Sequence, residues 1–592
     1  MDQEWILQTR LTRRSFANST WIPLRASVDI ERGHSDVTTP GHVGEFFGCG
    51  SVAFPMQHRA VAEGLSWSEI GIAHSARPHA YEDGYYSPVD QYQYYDKEPL
   101  GVELIFEHDQ PVVGTRHWIL NPDLVIALRL IKEGSNWVRP EEDFVIVARE
   151  SFDESGNHNQ IEIKREFLLD YLTARGLSLR LSYYRQHVET VVSLEGSPYA
   201  GMTDKQEERD GGRFELLIRD LNSVHGGSWS SMRIWRTDVD PEEDAPVMGP
   251  ERHDNTASEH REGHRGGYIG VRVEGEFWRD EWIDGQQRSI RVRGDEDPSR
   301  PNFIVETDGT RRPSRDLDYE DIGRWLWFRA GVVTELLGRR GFSLHWYTRE
   351  TGAVVSTSGR STHFGINSSD LITVYAHDIA RLPTWEQHVW ASHNVVPEGK
   401  VSAELLLSQA ETRPATTDAF EVLFFKTMRL LENGFSQSLN VKLFTHDIED
   451  RAAMQSVSRF VSRDRATLLR LAKELIRVFS DRLDVRELRK LSTHRDKEKL
   501  GSNKLLQDLL AQKIGEEDAR RMCSVLAGVY DMRVGDAHPT SSKVEDAIKL
   551  AGVDPNNSFL RQGEQLIYNY GSSIWNIGAA LFHDAASNEN RT

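Results

Sequence analysis

The sequence predicts an α+β multidomain chain, with a β-rich and mixed first two thirds carrying a candidate tandem α+β duplication, and an all-α helical bundle at the C-terminal end. Three observations predict it. The chain has 592 residues, more than one hydrophobic core serves, so several domains are expected. Up to about residue 415, short apolar runs alternate with Gly-, Tyr-, Trp- and His-rich stretches, the pattern of short strands between irregular loops. From Glu421 onward the apolar residues recur at helical spacing.

Composition narrows the class. Hydrophobic residues make up 38% and charged residues 27%, which suits a globular chain rather than a disordered one. No apolar run approaches eighteen residues, so no membrane span is expected. The N-terminal MDQEWILQTRLTRRSF is charged from its second residue and lacks the apolar stretch of a secretory signal. Cys49 and Cys523 are the only cysteines. They exclude a thiolate zinc site and a disulfide framework, and they fit a reducing, cytoplasmic setting. No metal or cofactor is expected. Net charge is −20, which argues against a protein that coats nucleic acid non-specifically. Residues 451–540 nevertheless hold 19 Lys/Arg against 13 Asp/Glu, leaving room for a local basic site.

Along the chain, residues 1–130 read as a β-rich domain, with Val102–Phe106 and Trp118–Leu120 as short strands. Residues 131–237 read as a mixed α+β unit. Just before it, Asn121-Pro122-Asp123 caps a helix over Leu124–Ile131; within it, Phe144–Ala148 is a buried strand. Residues 238–267 are polar, aperiodic and punctuated by Pro and Gly, and read as an exposed loop or linker. Residues 268–415 form a second β-rich α+β unit. The duplication rests on FLLDYLTARGLSLRLSYYRQHVETVVS, from Phe167, and GVVTELLGRRGFSLHWYTRETGAVVS, from Gly331. Each is a helix, then Arg-Gly, then an alternating strand.

Residues 421–585 predict the helical domain. Leu468, Leu471, Ala472, Leu475, Ile476 and Phe479 share one helix face. A further helix closes on Gly515. Ala519–Met532 follows with Met522, Val525, Leu526 and Val529 as its buried stripe. Ser542-Lys543-Val544-Glu545 is a capping box, and Gln565–Leu581 is a final helix.

Chemistry concentrates in Tyr530-Asp531-Met532-Arg533-Val534-Gly535-Asp536-Ala537-His538-Pro539. Arg533 and His538 form an R-x4-H pair at the end of an apolar helix stopped by Pro539. This stretch resembles the HEPN superfamily, helical bundles whose R-x(4–6)-H motif cleaves RNA, usually across a dimer interface. The resemblance implies a metal-independent endoribonuclease that binds RNA and forms a homodimer. His538 would be the general acid/base, and Arg533 would stabilise the phosphorane. The family's usual polar neighbour of the arginine is replaced here by Val534; either Asp536 fills that role, or it pairs with Arg533 one turn away. On an ideal helix, residues five apart point about 140° from one another, so joint action needs a distorted helix end or a second subunit. A sensing region joined to such a domain resembles bacterial antiviral and abortive-infection proteins, with an unknown trigger.

Other constellations compete. R-x(4–6)-H also occurs at Arg339/Arg340 with His345, Arg381 with His388, and Arg489 with His494. Asp143, Glu162 and Lys164 follow the D…ExK order of metal-dependent nucleases. His253, His260 and His264 give an H-x3-H spacing. His388, His393 and Asn394 have an HNH-like composition, on a helix whose aromatic side, Trp385 and Trp390, is expected to pack inward. The non-catalytic alternative is a scaffold whose helical domain only dimerises.

Overall fold

The computed structural model describes residues 15–586 except 66, 71–79, 83–84, 88–90, 93–99, 111–114, 210–211, 237–238, 241–244, 247–255, 318–323, 358, 414, 446–454 and 536–541. The chain divides into two compact units. The first comprises Met1–Pro140 with Phe144–Glu296, the second Glu141–Asp143 with Asp297–Thr592. Strands and helices are both abundant, the strands dominating the N-terminal part and the helices the C-terminal region. Among the described residues no helix is long and apolar enough to cross a membrane.

The first unit is built on one twelve-stranded antiparallel sheet. In chain order its main strands are β1 (Trp21–Gly33), β2 (His42–Pro55), β3 (Gly101–Glu103), β4 (Ile131–Glu133), β5 (Asn136–Arg139), β6 (Val145–Phe152), β7 (His158–Lys164), β8 (Leu177–Val191), β9 (Lys205–Arg209) and β10 (Gly212–Asp220). A two-stranded ribbon, β11 (Gly227–Arg236) with β12 (Thr256–Arg265), precedes the last sheet strand, β13 (Val271–Asp284). The sheet order is β9-β10-β13-β8-β2-β1-β7-β6-β5-β4, with β3 beside β2 and Gln91–Tyr92 beside β3. The two longest helices between its strands, among the described residues, are α1 (Pro122–Ala127) and α2 (Arg165–Arg175). Along β8 the alternation places Leu177, Leu179, Leu181 and Tyr183 in one core with Phe167, Leu168 and Leu172 of α2. The long β1–β2 hairpin needs glycine at its neck. Gly33 has φ +75°, and a Cβ there would lie 2.0 Å from the Gly41 carbonyl oxygen, a position closed to other residues.

This grouping differs from the boundaries expected at 130, 237 and 267. β1 and β2 pair with β7 and β8, so residues 1–130 and 131–237 share a sheet. β13, expected in the second β-rich unit, pairs with β8 along fourteen residues. The stretch 238–267 is not a linker throughout, because Thr256–Arg265 is a strand paired to Gly227–Arg236. Its side chains are polar on both faces, so it carries no hydrophobic alternation to announce a strand. The helix after Asn121 is capped as expected, by the Asn121 side chain accepting from Asp123 N, but ends at Ala127, and Ile131 opens β4.

The second unit opens on a six-stranded antiparallel sheet. Its strands are β14 (Trp325–Arg329), β15 (Ser343–Trp346), β16 (Thr351–Val355), β17 (Ser361–Ile366), β18 (Leu371–Tyr375) and β19 (Asn394–Val395), in the order β15-β16-β17-β18-β14-β19. Helices α3 (Gly331–Leu337), α4 (Thr384–His393) and α5 (Ala403–Glu411) accompany it. The two segments proposed as duplicates share the order strand, helix, glycine turn, strand. Gly176 and Gly341 both take left-handed φ, +67° and +80°. The crossovers differ, however. β7 and β8 are antiparallel with two strands between them, whereas β14 and β15 are parallel with three between. The likeness is local to the helix and its turn.

The C-terminal helices are α6 (Phe420–Leu439), α7 (Arg465–Val478), α8 (Val485–Leu491), α9 (Ser502–Ile514), α10 (Glu516–Met522), α11 (Ser524–Gly535), α12 (Ser542–Leu550) and α13 (Phe559–Ala586). Asp464 caps α7 by accepting from Thr467 N, with the Thr467 hydroxyl returning to Asp464 N. The stripe Leu468, Leu471, Ala472, Leu475 and Ile476 is fully buried, as the spacing predicts. The single helix expected over Ala519–Met532 is two, α10 and α11, meeting at Cys523.

The bundle does not stand apart from the six-stranded sheet. Phe460 and Leu560 belong to the core of the sheet. Between them lies Arg459, 1% exposed. Its Nε and Nη2 donate to the two oxygens of Glu421 at 2.9 and 2.7 Å, and Nη1 donates to Glu564 at 2.9 Å. The guanidinium lies 4.6 Å from the ring centre of Trp346 on β15. Arg561 extends the network, donating to Glu564 at 2.7 Å and to Asp370 at 2.6 Å. Removing one member of a buried ion pair strands its partners' charge, which costs about 3–5 kcal/mol. Arg459→Met should therefore lower the urea-unfolding free energy of the second unit by about that amount. A loss below ~1 kcal/mol would show that the network contributes little.

Candidate functional site

Arg533 lies in the last turn of α11, whose inner face, Leu526, Val529 and Met532, is buried in the bundle core. That packing turns the arginine outward. Its Nη1 donates to both oxygens of Asp481 at 3.0 Å. The guanidinium keeps 37% of its side-chain surface. Asp481 sits in the short 3₁₀ turn Ser480–Arg482 that follows α7, beside Ser480, whose hydroxyl meets the Tyr570 hydroxyl of α13 at 2.9 Å. Burial pushes the Tyr570 phenol well above its ordinary range, with the nearby Asp481 charge adding to the shift, so it stays protonated. The arginine is thus anchored at the surface by an acidic residue 52 positions away. Asp536 and His538 lie outside the described residues.

Two of the rival pairs, at Arg489 and at Arg339, have partners of their own. Arg489 Nη2 donates to the Glu498 carbonyl at 3.0 Å, and His494 Nδ1 accepts from Asp496 N at 3.0 Å. Arg339 Nη1 donates to Asp143 at 2.5 Å, and His345 Nε2 meets the Ser343 hydroxyl at 3.4 Å.

The D…ExK residues each have partners of their own. Asp143 is held by Arg339 in the second unit, while Glu162, in the first, accepts from Arg149 and from Gln160. Lys164 Nζ lies 5.7 Å from the Trp21 ring centre. His253 lies outside the described residues. His260 and His264 are on a strand, not a helix, so their Cα atoms are about 13 Å apart, too far to share one ion. Among the described residues no group of three or more His, Cys, Asp or Glu is arranged to hold a metal ion. The WEQHVWASHNV stretch is the helix α4, with Trp390 fully buried and Trp385 packed edge-on to Phe342. Asn394 accepts from Ile304 N at 2.5 Å and donates to Trp327 O at 3.0 Å, a strand-joining role.

Two groups escape sequence reasoning. Asp481 is one, because nothing in sequence links it to Arg533. Glu386, in the first turn of α4, is the other. It is 1% exposed, and neither carboxylate oxygen has a hydrogen-bond partner of good geometry. Burial raises its pKa to about 7, against the opposing pull of Trp390, Arg360 and Arg339. Close by on α3 and α4, His393 Nε2 meets Glu335 at 2.8 Å, and that bond, with Arg339 assisting, holds the Glu335 carboxyl below its usual range.

Comparison of the chain with family models, curated proteins and solved structures found no match. The functional reading rests on the residues alone.

A carboxyl whose folded pKa exceeds its unfolded one stabilises the fold most below the unfolded value, and that contribution fades as pH rises through the folded value. The second unit should therefore lose stability between about pH 5 and 8, on the order of 3 kcal/mol for a shift of this size. Glu386→Gln should flatten that slope in urea melts taken at pH 5 and pH 8. An unchanged slope would mean that Glu386 is ionised and solvated.

Proposed function

We propose that the chain is a cytoplasmic, metal-independent endoribonuclease acting as a homodimer, with Arg533 and His538 at its reaction centre. The observation that carries this reading is the anchored guanidinium of Arg533, presented at the end of an apolar helix five residues before a histidine and a proline. A planar guanidinium matches two phosphate oxygens at once. Both bonds to Asp481 leave from Nη1, so the pairing fixes the group without using its whole donor edge. Under this reading the ribose 2′-oxygen attacks phosphorus and the bond to the 5′-oxygen breaks. The products are a 2′,3′-cyclic phosphate and a 5′-hydroxyl. His538 moves the proton, as an imidazole near neutral pH can. Arg533 stabilises the charge that builds on the phosphorane. On an ideal helix the two residues point apart, so a second subunit or a distorted helix end would bring Arg533 and His538 onto one phosphate.

The Arg533–Asp481 pair also supports a second reading. A surface ion pair that only joins α11 to the turn after α7 would make the bundle a non-catalytic dimerisation scaffold.

Incubation of the purified chain with mixed total RNA in EDTA separates the two. Arg533→Ala and His538→Ala should each abolish cleavage while leaving the circular dichroism spectrum unchanged, and the wild-type products should carry cyclic phosphates. Asp481→Asn should lower the cleavage rate about tenfold or more, yet cost stability by no more than ~1 kcal/mol, as exposed pairs do. Absence of cleavage in EDTA at any chain concentration, with a dimer present, favours the scaffold.

A further inference from the structure

The ribbon β11–β12 stands as its own two-stranded sheet, outside the ladder of the large one. Its register sets the composition of each face, because paired residues in an antiparallel ladder point the same way. One face carries Trp229, Ser231, Arg233 and Trp235 from β11, and Ala257, Glu259, Arg261, Gly263 and Arg265 from β12. The other carries Met232 and Ile234 among serines, histidines and Glu262. The first face thus holds two indoles, three guanidinium groups, the Glu259 carboxylate opposite Arg233 and small residues, and no aliphatic side chain larger than alanine. It is a different chemistry from a core-forming surface.

The indoles are laid down rather than left upright. Trp229 is paired with Gly263, and a Cβ at Gly263 would fall 2.8–3.0 Å from the indole Nε1, Cε2 and Cζ2. Only glycine lets that ring lie across the partner strand. Trp235 is paired with Ala257, again a small residue. Trp229 and Trp235 remain 41% and 45% exposed. Six residues apart on one strand, they are separated by about 20 Å. Arg233 lies between them on the same strand, and Arg261, which pairs with Glu259, lies on the neighbouring one. Arg233, Arg261 and Arg265 are exposed.

We propose that this face binds single-stranded nucleic acid, with bases stacked on Trp229 and Trp235 and the intervening phosphates held by Arg233 and Arg261. Indole faces accept any base, and arginines between them neutralise the backbone, so the recognition is of single strands rather than of sequence. Residues 237–255, which join β11 to β12, contain seven acidic residues and one arginine, and repel phosphate. The site does not depend on cleavage by Arg533, and it lies in the other unit of the chain.

The test uses the full chain carrying Arg533→Ala, which keeps RNA intact if the nuclease reading holds. Fluorescence anisotropy would follow a labelled 12-nucleotide oligouridine, the matching deoxy-oligonucleotide, and an RNA duplex. Single strands should bind in preference to the duplex, and Trp229→Ala with Trp235→Ala should weaken binding at least tenfold with unchanged circular dichroism. Arg233→Gln with Arg261→Gln should reduce the dependence of the affinity on salt. Neutralising the acidic residues of 237–255 should tighten binding. Equal affinity for the ribo- and deoxy-oligomers would mean that bases and phosphates are read alone, and preference for RNA would add the 2′-hydroxyl. Affinity unaffected by the paired tryptophan substitution, or no binding at low salt, overturns the proposal. A change of oligomeric state in that variant, without a change in affinity, would assign the face to protein contact instead.

Discussion

The second unit depends on a charge that it cannot expose. Arg459 sits where the bundle meets the six-stranded sheet, and water has no access to it. A guanidinium in that position is tolerable only if several partners share it at good geometry. Glu421, from the first helix of the bundle, takes two of its donors, and Glu564, from the last, takes a third. Trp346, from the edge strand of the sheet, covers its face. The same residue therefore sets the spacing of two helices that are distant in sequence and the seat of the sheet against them. Phe460 follows it directly and stacks on the same Trp346, so the apolar and ionic contacts are made by neighbours on one turn.

Around that anchor the unit spends polar groups unevenly. Arg561, Glu564, Asp370 and Glu350 surround Arg459 with a network in which most charges meet an opposite one. Glu386 is treated in the opposite way: it is buried, without a bonded partner, and held near neutrality by its surroundings. The contrast is physical. A guanidinium cannot shed its proton and must be paired, whereas a carboxyl can take one up and become neutral.

What could be read from the sequence follows the kind of signal each element emits. The bundle was legible because an amphipathic helix repeats its pattern every turn. Leu468 through Ile476 could be placed without coordinates. The ribbon was not, since β11 and β12 have solvent on both faces and their alternation is not of apolar with polar. The unit boundary near residue 296 was hidden for another reason. β13 belongs to a sheet whose other strands lie up to 250 residues earlier, and pairing over that range leaves no local mark. The candidate site was half legible. Arg533 and its helix end could be named, but Asp481 is related to it only through the packing of α7 beside α11. Glu386 stands in the first turn of α4, where negative charge suits a helix N-terminus; tertiary packing alone buries it.

The shared core at Phe460 and Leu560 bears on how this protein can be dismantled or recombined. A fragment starting at Phe420 would contain every helix of the bundle, yet Phe460 and Leu560 would lose the sheet core they belong to, and Arg459 would keep Phe420 but lose Trp346. Such a fragment is not a transferable cassette. The compact unit to which the bundle belongs comprises Asp297–Thr592 together with Glu141–Asp143. Exchange of the helical end between chains would have to carry the six-stranded sheet along with it.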